Sequence, residues 1–206
     1  NDYVLKPVDS TELKARVRTL LQLKFSAREK LHMEMALIQA QIKPHFLFNA
    51  LNTIASLSET DPDRMREVLT DFGLYLKNSF DLRNLNDVVP FAMEWSLVES
   101  YLSVERARFG NRMRIVERVP ESRSFEIPPL SIQPIVENAL RHGILRRPEG
   151  GEVRIEVSVA DGRVTVAVTD TGAGFPEGAA ERILSGRHKG GIGLTNIHRR
   201  LLHLYG

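Results

Sequence analysis

Apolar residues recur at three- and four-residue intervals through the first half of the chain, and at every second residue through part of the second half. The opening "NDYVLKP" reads as a strand end followed by an X-Pro turn. Asp9 or Ser10 can then cap a helix whose first turn holds Glu12 or Leu13. Leu13, Val17, Leu20 and Leu21 form its apolar stripe, which resumes after a polar interval at Leu31, Met35, Ile38 and Ile42. The phase shift between the two sets fits a long helix paired with a partner, as in a coiled coil; the alternative is an amphipathic helix on its own core. "SETDPDR" interrupts the pattern, with Asp61 as N-cap and Pro62 at the first helical position. Met65, Val68, Leu69, Phe72, Leu76 and Phe80 follow at helical spacing, so a helical hairpin is expected from about 27 to about 85. After the polar break "DLRNLND", the segment "PFAMEWSLVESYLSVERARFG" reads as a further amphipathic helix stopped by Gly110.

Beyond Gly110 the periodicity changes. A strand is expected over 112–119, a helix over 129–143, and strands over 153–159 and 163–170. Asp161-Gly162 between the last two is a two-residue hairpin signal. Seven of the 14 glycines fall between Gly172 and Gly193, and a last helix runs toward Gly206. An all-helical first half followed by an α/β second half gives an α+β chain, with the boundary at about 86–92.

Composition narrows the class. The 206 residues suffice for one or two domains with real cores. Twenty-eight basic side chains against 26 acidic ones leave no concentrated basic stripe, so no direct nucleic-acid partner is expected. With no cysteine there are no disulfides and no thiolate metal sites, which fits a reducing compartment. No apolar run reaches the length of a membrane span and no signal-peptide pattern opens the chain, so a cytoplasmic location is expected.

Three local patterns carry candidate chemistry. Val164, Val166, Val168 and Asp170 share one face of their strand, which sets a carboxylate on an apolar face just before "TGAG". Asp170 either starts an Asx-turn at the strand end or accepts an N–H from a ligand that the glycines let approach. In "IPPLSIQPIVENALRHG", Ile132, Ile135, Val136, Ala139 and Leu140 fall on one side; Glu137, Asn138, Arg141 and His142 fall on the other as two i,i+4 pairs. Such a face is either solvated or a site, with a possible metal ligand in Asn138 or Glu137 beside a cation suited to phosphate. Finally, Gly190, Gly191 and Gly193 open a helix in "KGGIGLTN", and a glycine-rich helix start offers unpaired N–H groups to an anion.

The order of these patterns resembles the Bergerat-type ATP-binding fold of sensor histidine kinases, gyrase, the large heat-shock chaperones and MutL. That resemblance implies ATP and Mg2+ as cofactors. It implies that Asn138 binds the magnesium bridging the phosphates and that Asp170 receives the adenine amino group. Gly172 and Gly174 would shape the adenine pocket, residues 175–190 would form a lid, and Gly191 and Gly193 would approach the phosphates. Arg141 and His142 stand where the fold often contacts phosphate or nucleotide.

Upstream, Pro44 directly precedes His45, so the helix is expected to kink or loosen there. His45 and Asn49 share a helix face. His45 is either a core histidine among Phe46, Leu47 and Phe48 or an exposed nucleophile. Together, "QIKPHFLFNALNTI", "IPPLSIQPIVENALRHGI", "VTDTGAGF" and "GGIGLTNIHRRLLHLYG" resemble the LytS/YehU-type sensor histidine kinases, whose acceptor lies in a Pro-His-Phe-x-Phe-Asn motif. The resemblance implies that His45 is autophosphorylated from ATP and passes the phosphoryl group to an aspartate of a response regulator. Asn49 would stand where some kinases position a hydrolytic water. Phe46 occupies the place of the acid that follows the histidine in many other kinases, and Glu137 is a candidate substitute for that base.

Two helices per chain, with apolar faces on both sides of a hairpin, predict a homodimeric four-helix bundle. The resemblance implies that an α/β-sandwich ATP-binding domain follows, whose further strands would lie beyond "LLHLYG", leaving it incomplete here. "DYVLKPVDSTELKARVRTLL" resembles the last strand and helix of a receiver domain, with Lys6 as its phosphate-site lysine. The expected division is a receiver remnant over 1–24, a dimerisation and phosphotransfer hairpin over 25–88, and the ATP-binding domain over 89–206, with the receiver acting in cis. Rival readings are a non-enzymatic dimeric scaffold that binds nucleotide, and a serine kinase or ATPase of the same fold.

Overall fold

The computed structural model describes residues 44–82, 87–121, 124–174, 178, 181 and 192–206. The receiver-like segment, the long helix expected before residue 44, and the kink expected on the N-terminal side of Pro44 lie outside the described residues. The chain divides into two compact units, 1–48 and 49–206. Residues 44–48 therefore belong to the first unit, and the rest of the described chain belongs to the second.

Helix α1 spans Pro44–Thr60 and α2 spans Pro62–Asp81. Asp61 is the N-cap, as its sequence context implied: its carboxylate accepts the Arg64 N–H at 3.0 Å, and Pro62 sits where no donor is needed. Val68, Phe72, Tyr75 and Ser79, spaced by four, three and four, form the buried stripe of α2.

That stripe meets α3, Phe91–Phe109. The Asn78 amide donates to Ser96 Oγ at 3.0 Å, Ser103 donates to Asp71, and the rings of Tyr75 and Tyr101 lie 6.1 Å apart. Helix α3 is not amphipathic as its pattern suggested. Buried positions run all round it, from Phe91, Trp95, Leu97, Val98, Tyr101, Leu102 and Val104 to the polar Glu94, Ser100 and Glu105. The reason is its central place, with α2 on one side and the helical segment Gln133–Asn138 on the other. Gly110, at φ 53, ends it.

The strands are β1 (Val89–Pro90), β2 (Met113–Arg118), β3 (Glu126–Ile127), β4 (Gly151–Ala160) and β5 (Arg163–Asp170). β1 and β3 form a small antiparallel pair, while the main sheet has the order β2-β4-β5. β2 runs parallel to β4, and β4 antiparallel to β5 with Ile155 opposite Val168 and Val157 opposite Val166. Asp161 and Gly162 both have positive φ, 51 and 70, as a type I′ hairpin turn demands.

A parallel pair cannot be joined by a tight turn, so the chain between β2 and β4 must cross over. That crossover carries α4, Gln133–Asn138, a π-helical turn Ala139–Gly143 and a short 3-10 turn Ile144–Arg146. A last helix, α5, spans Ile192–Tyr205. The sequence pattern implied one helix over 129–143; the regular helix starts only at Gln133. Leu130 has φ 55, and the Pro128-Pro129 pair has no backbone donors for a first turn.

Candidate functional site

The site is assembled where the crossover meets the end of β5. Helix α4 is anchored from below by α3. The carboxylate of Glu94, fully buried, accepts the N–H groups of Leu130 at 2.7 Å, Ile132 at 2.9 Å and Gln133 at 3.2 Å. These are the donors at a helix start that would otherwise go unpaired. Burial pushes the Glu94 carboxyl up, and the backbone donors pull against it. Gln133 also ties α4 to α2, its amide donating to the Tyr75 hydroxyl at 3.1 Å.

Past Asn138 the helix widens. The Ile144 N–H bonds the carbonyl of Ala139, five residues back, and also that of Leu140. A π-turn adds one residue to a turn and is often found at functional sites. Here it brings Gly143 against β5. A Cβ at Gly143 would overlap the Asp170 carboxylate, and one at Gly172 would overlap the backbone of Gly143. The segment directly after Asn138, the strand end at Asp170 and the first glycine of the Asp-x-Gly-x-Gly run therefore converge on one point.

Asp170 is half-buried at the end of the half-buried row Val164, Val166 and Val168, the face predicted from alternation. Its Oδ1 accepts the Gly172 N–H at 2.9 Å, which is an Asx-turn. The two readings of this residue are therefore compatible, because a carboxylate has acceptor capacity beyond one such bond. Next to it Thr171 is tied to β4: its N–H donates to Glu152 O at 3.0 Å, and its hydroxyl accepts the Glu152 N–H at 2.9 Å. Arg147 donates to Thr171 O at 2.8 Å. Gly174, at φ 70, makes the turn after it.

The polar face expected on the helix is only partly exposed. Arg141 and His142 face solvent and Asn138 is half-buried, but Glu137 is only 7% exposed. It pairs with Arg141 at 3.7 Å and lies within electrostatic reach of Glu105 and Tyr101. Helix α3 covers it, which heptad-like counting on α4 alone could not reveal. Burial raises the Glu105 carboxyl to about 7; Arg108 opposes this and Glu137 adds to it. Burial likewise pushes the Tyr101 hydroxyl well above its ordinary range, with Glu105 adding to the shift.

Of the remaining predicted residues, Gly193 is in the first turn of α5, its added Cβ 3.4 Å from Pro134 of α4. Gly191 lies outside the described residues, and so does the 175–190 segment apart from Gly178 and Glu181. His45 is exposed as the second residue of α1, and Asn49, four residues on, is half-buried. The alternative of a core histidine therefore does not hold for His45. Sequence reasoning missed Glu94, Gly143 and Glu105. A glycine ending the "ENALRHG" helix was a visible signal for Gly143; nothing in the pattern of "FAMEWSLV" marked Glu94.

Among the described residues no cluster of three histidine, aspartate or glutamate side chains is placed to hold a metal, and no helix is long and apolar enough to cross a membrane. A single amide oxygen from Asn138 nevertheless fits magnesium, which keeps most of its shell as water and phosphate oxygens.

Two family models match the chain. One, described as histidine kinase, covers residues 33–113; the other, described as histidine kinase-, DNA gyrase B- and HSP90-like ATPase, covers 130–206. The chain is 40% identical over 207 residues to the uncharacterised protein YwpD of Bacillus subtilis (strain 168), covering all of this chain and 74% of the relative. It is 37% identical over 191 residues to the sensor histidine kinase YpdA of Escherichia coli (strain K12), covering 90% of this chain and 34% of that one. With the sensor protein LytS of Enterococcus faecalis the identity is 37% over 180 residues, covering 84% and 30%. The chain thus spans about a third of the length of these two sensor proteins.

Proposed function

The chain belongs to the LytS-type sensor histidine kinases, and from that premise we propose that it is the ATP-dependent kinase module of a two-component system, with His45 as phosphoryl acceptor. The observation that carries the proposal is the convergence of Gly143, in the π-turn that follows Asn138, with Asp170 and Gly172 at one end of the sheet. Asp170 accepts the adenine amino group, and Gly172 and Gly174 let the base approach. Arg141 and His142 serve the phosphates or the nucleotide, and the N-terminus of α5 at Ile192, with Gly193 in its first turn and Gly191 before it in the sequence, offers backbone N–H groups to the anion. Asn138 holds magnesium, which supplies charge neutralisation of the phosphates when bound. Glu137, enclosed under α3, orients the Arg141 guanidinium.

The lone pair of an imidazole nitrogen of His45 bonds to the γ-phosphorus as the bond from that phosphorus to the β–γ bridging oxygen breaks. ADP leaves with the electron pair, and the proton on the other ring nitrogen passes to solvent, giving a phosphoramidate with a neutral ring and an anionic phosphoryl group. The N–P bond later breaks as a carboxylate oxygen of a response-regulator aspartate bonds to phosphorus. A homodimeric hairpin over 25–88, a receiver ending near residue 24 and a cytoplasmic location belong to the same proposal.

The test is label transfer from γ-labelled ATP to the intact protein. Acid-labile label that disappears in His45→Gln is expected. Acid-stable label would assign the acceptor to a hydroxyl. Nucleotide binding without label would leave a non-enzymatic scaffold.

A further inference from the structure

We propose that Arg146 is a positioning residue for His142: it holds the imidazole neutral, with its proton on Nε2, so that the ring meets the nucleotide as a hydrogen-bond donor. This rests on the proposed nucleotide site. The Arg146 guanidinium NH2 lies 3.0 Å from His142 Nδ1. A guanidinium has five donors and no acceptor, so Nδ1 must bring the lone pair to this bond. The proton of the neutral ring is then on Nε2, since the bond made by one ring nitrogen sets the state of the other.

The backbone fixes the pair as well. His142 is in the π-turn and Arg146 ends the 3-10 turn after it. The next residue is clamped from three directions. Arg147 donates to Thr171 O at 2.8 Å and to Glu149 at 2.7 Å, and its carbonyl accepts from Arg112 at 3.0 Å. The stretch after His142 is thereby pinned to the end of β5, beside Asp170. Arg141, the neighbouring cation, is engaged by Glu137 at 3.7 Å. The two arginines thus have different tasks: Arg141 is paired with an acid, while Arg146 is spent on a ring nitrogen.

The test combines a spectrum with an affinity cycle on the intact protein. Nitrogen chemical shifts of labelled histidine report the tautomer directly. The Nε2–H form is expected for His142, with Arg146→Ala shifting it toward a tautomer mixture and Arg146→Lys, which keeps a donor, restoring it. A non-hydrolysable ATP analogue with magnesium is the affinity probe. Arg146→Ala is expected to weaken it about three- to tenfold, the scale of one hydrogen bond. In His142→Gln the amide nitrogen takes the place of Nε2–H without needing a tautomer, so the same substitution is expected to cost less than about twofold there. Equal losses in both backgrounds would mean that Arg146 acts on the phosphates itself, and an unchanged tautomer in Arg146→Ala would also overturn the proposal. If the unmutated protein binds no nucleotide, the site reading fails, while the spectrum still decides whether Arg146 sets the ring.

Discussion

At Gly143 a methyl group would overlap the Asp170 carboxylate, and at Gly172 it would overlap the backbone of Gly143. The Asp170 carboxylate and the Gly172 backbone rest directly on Gly143 there. Gly143→Ala is expected to weaken nucleotide binding at least about tenfold and to cost about 1–3 kcal/mol in denaturant unfolding. Gly73→Ala is the control: that glycine is exposed on α2 with nothing near its missing Cβ, so the change is expected to stabilise by about 1 kcal/mol. Glu105 gives the pH dependence. Its carboxyl is raised to about 7 in the folded state from an ordinary value of 4.5, so between those values the folded protein holds a proton that the unfolded chain has released. Stability must therefore fall as pH rises from about 5 to about 8, by on the order of 3 kcal/mol at most. Glu105→Gln is expected to flatten that slope, which urea melts at the two ends of the range will show. The half-buried place of Asp170 was legible because strand parity singles it out. Glu94 and Glu105 were not, since nothing in one helix's pattern tells that a second helix will cover its acids.

Elements were read best where local chemistry decides them. Asp61-Pro62 and Asp161-Gly162 each name a backbone geometry that few other dipeptides favour, and both formed as written. Asp61→Ala is expected to lower stability by about 1 kcal/mol while Asp61→Asn retains it, because either side-chain oxygen can accept the Arg64 N–H; thermal melts of the two variants check it. The helix from 129 to 143 was read less well. Its start was displaced by Pro128, Pro129 and the strained Leu130, and its end became a π-turn. A π-turn leaves no periodic mark in a stretch this short, since it depends on what β5 offers Gly143. The pair β1 and β3, two residues each, is beneath any pattern's resolution; Phe91 and Phe125 stack at 4.5 Å beside it.

On the scale of the whole molecule, large apolar side chains lie exposed on α1, α2 and α5 and at the end of β4. Leu51 on α1 and Leu69, Leu74 and Phe80 on α2 are between 40 and 52% exposed, while the opposite face of α2 is closed by α3. Scattered apolar side chains are ordinary on a surface, but several on consecutive helices imply a covering partner. A second copy of the chain satisfies this in the proposed four-helix bundle, where each protomer contributes two helices. The intact protein is therefore expected to sediment as a dimer at micromolar concentration. Leu51→Glu, which sets a carboxylate on that surface without touching the α2–α3 packing, is expected to shift it to monomer while leaving the nucleotide affinity within about twofold. The two readouts separate because Asp170, Gly143 and Asn138 all belong to the sheet end and its crossover. Loss of nucleotide affinity along with the dimer would mean that the second protomer completes the site.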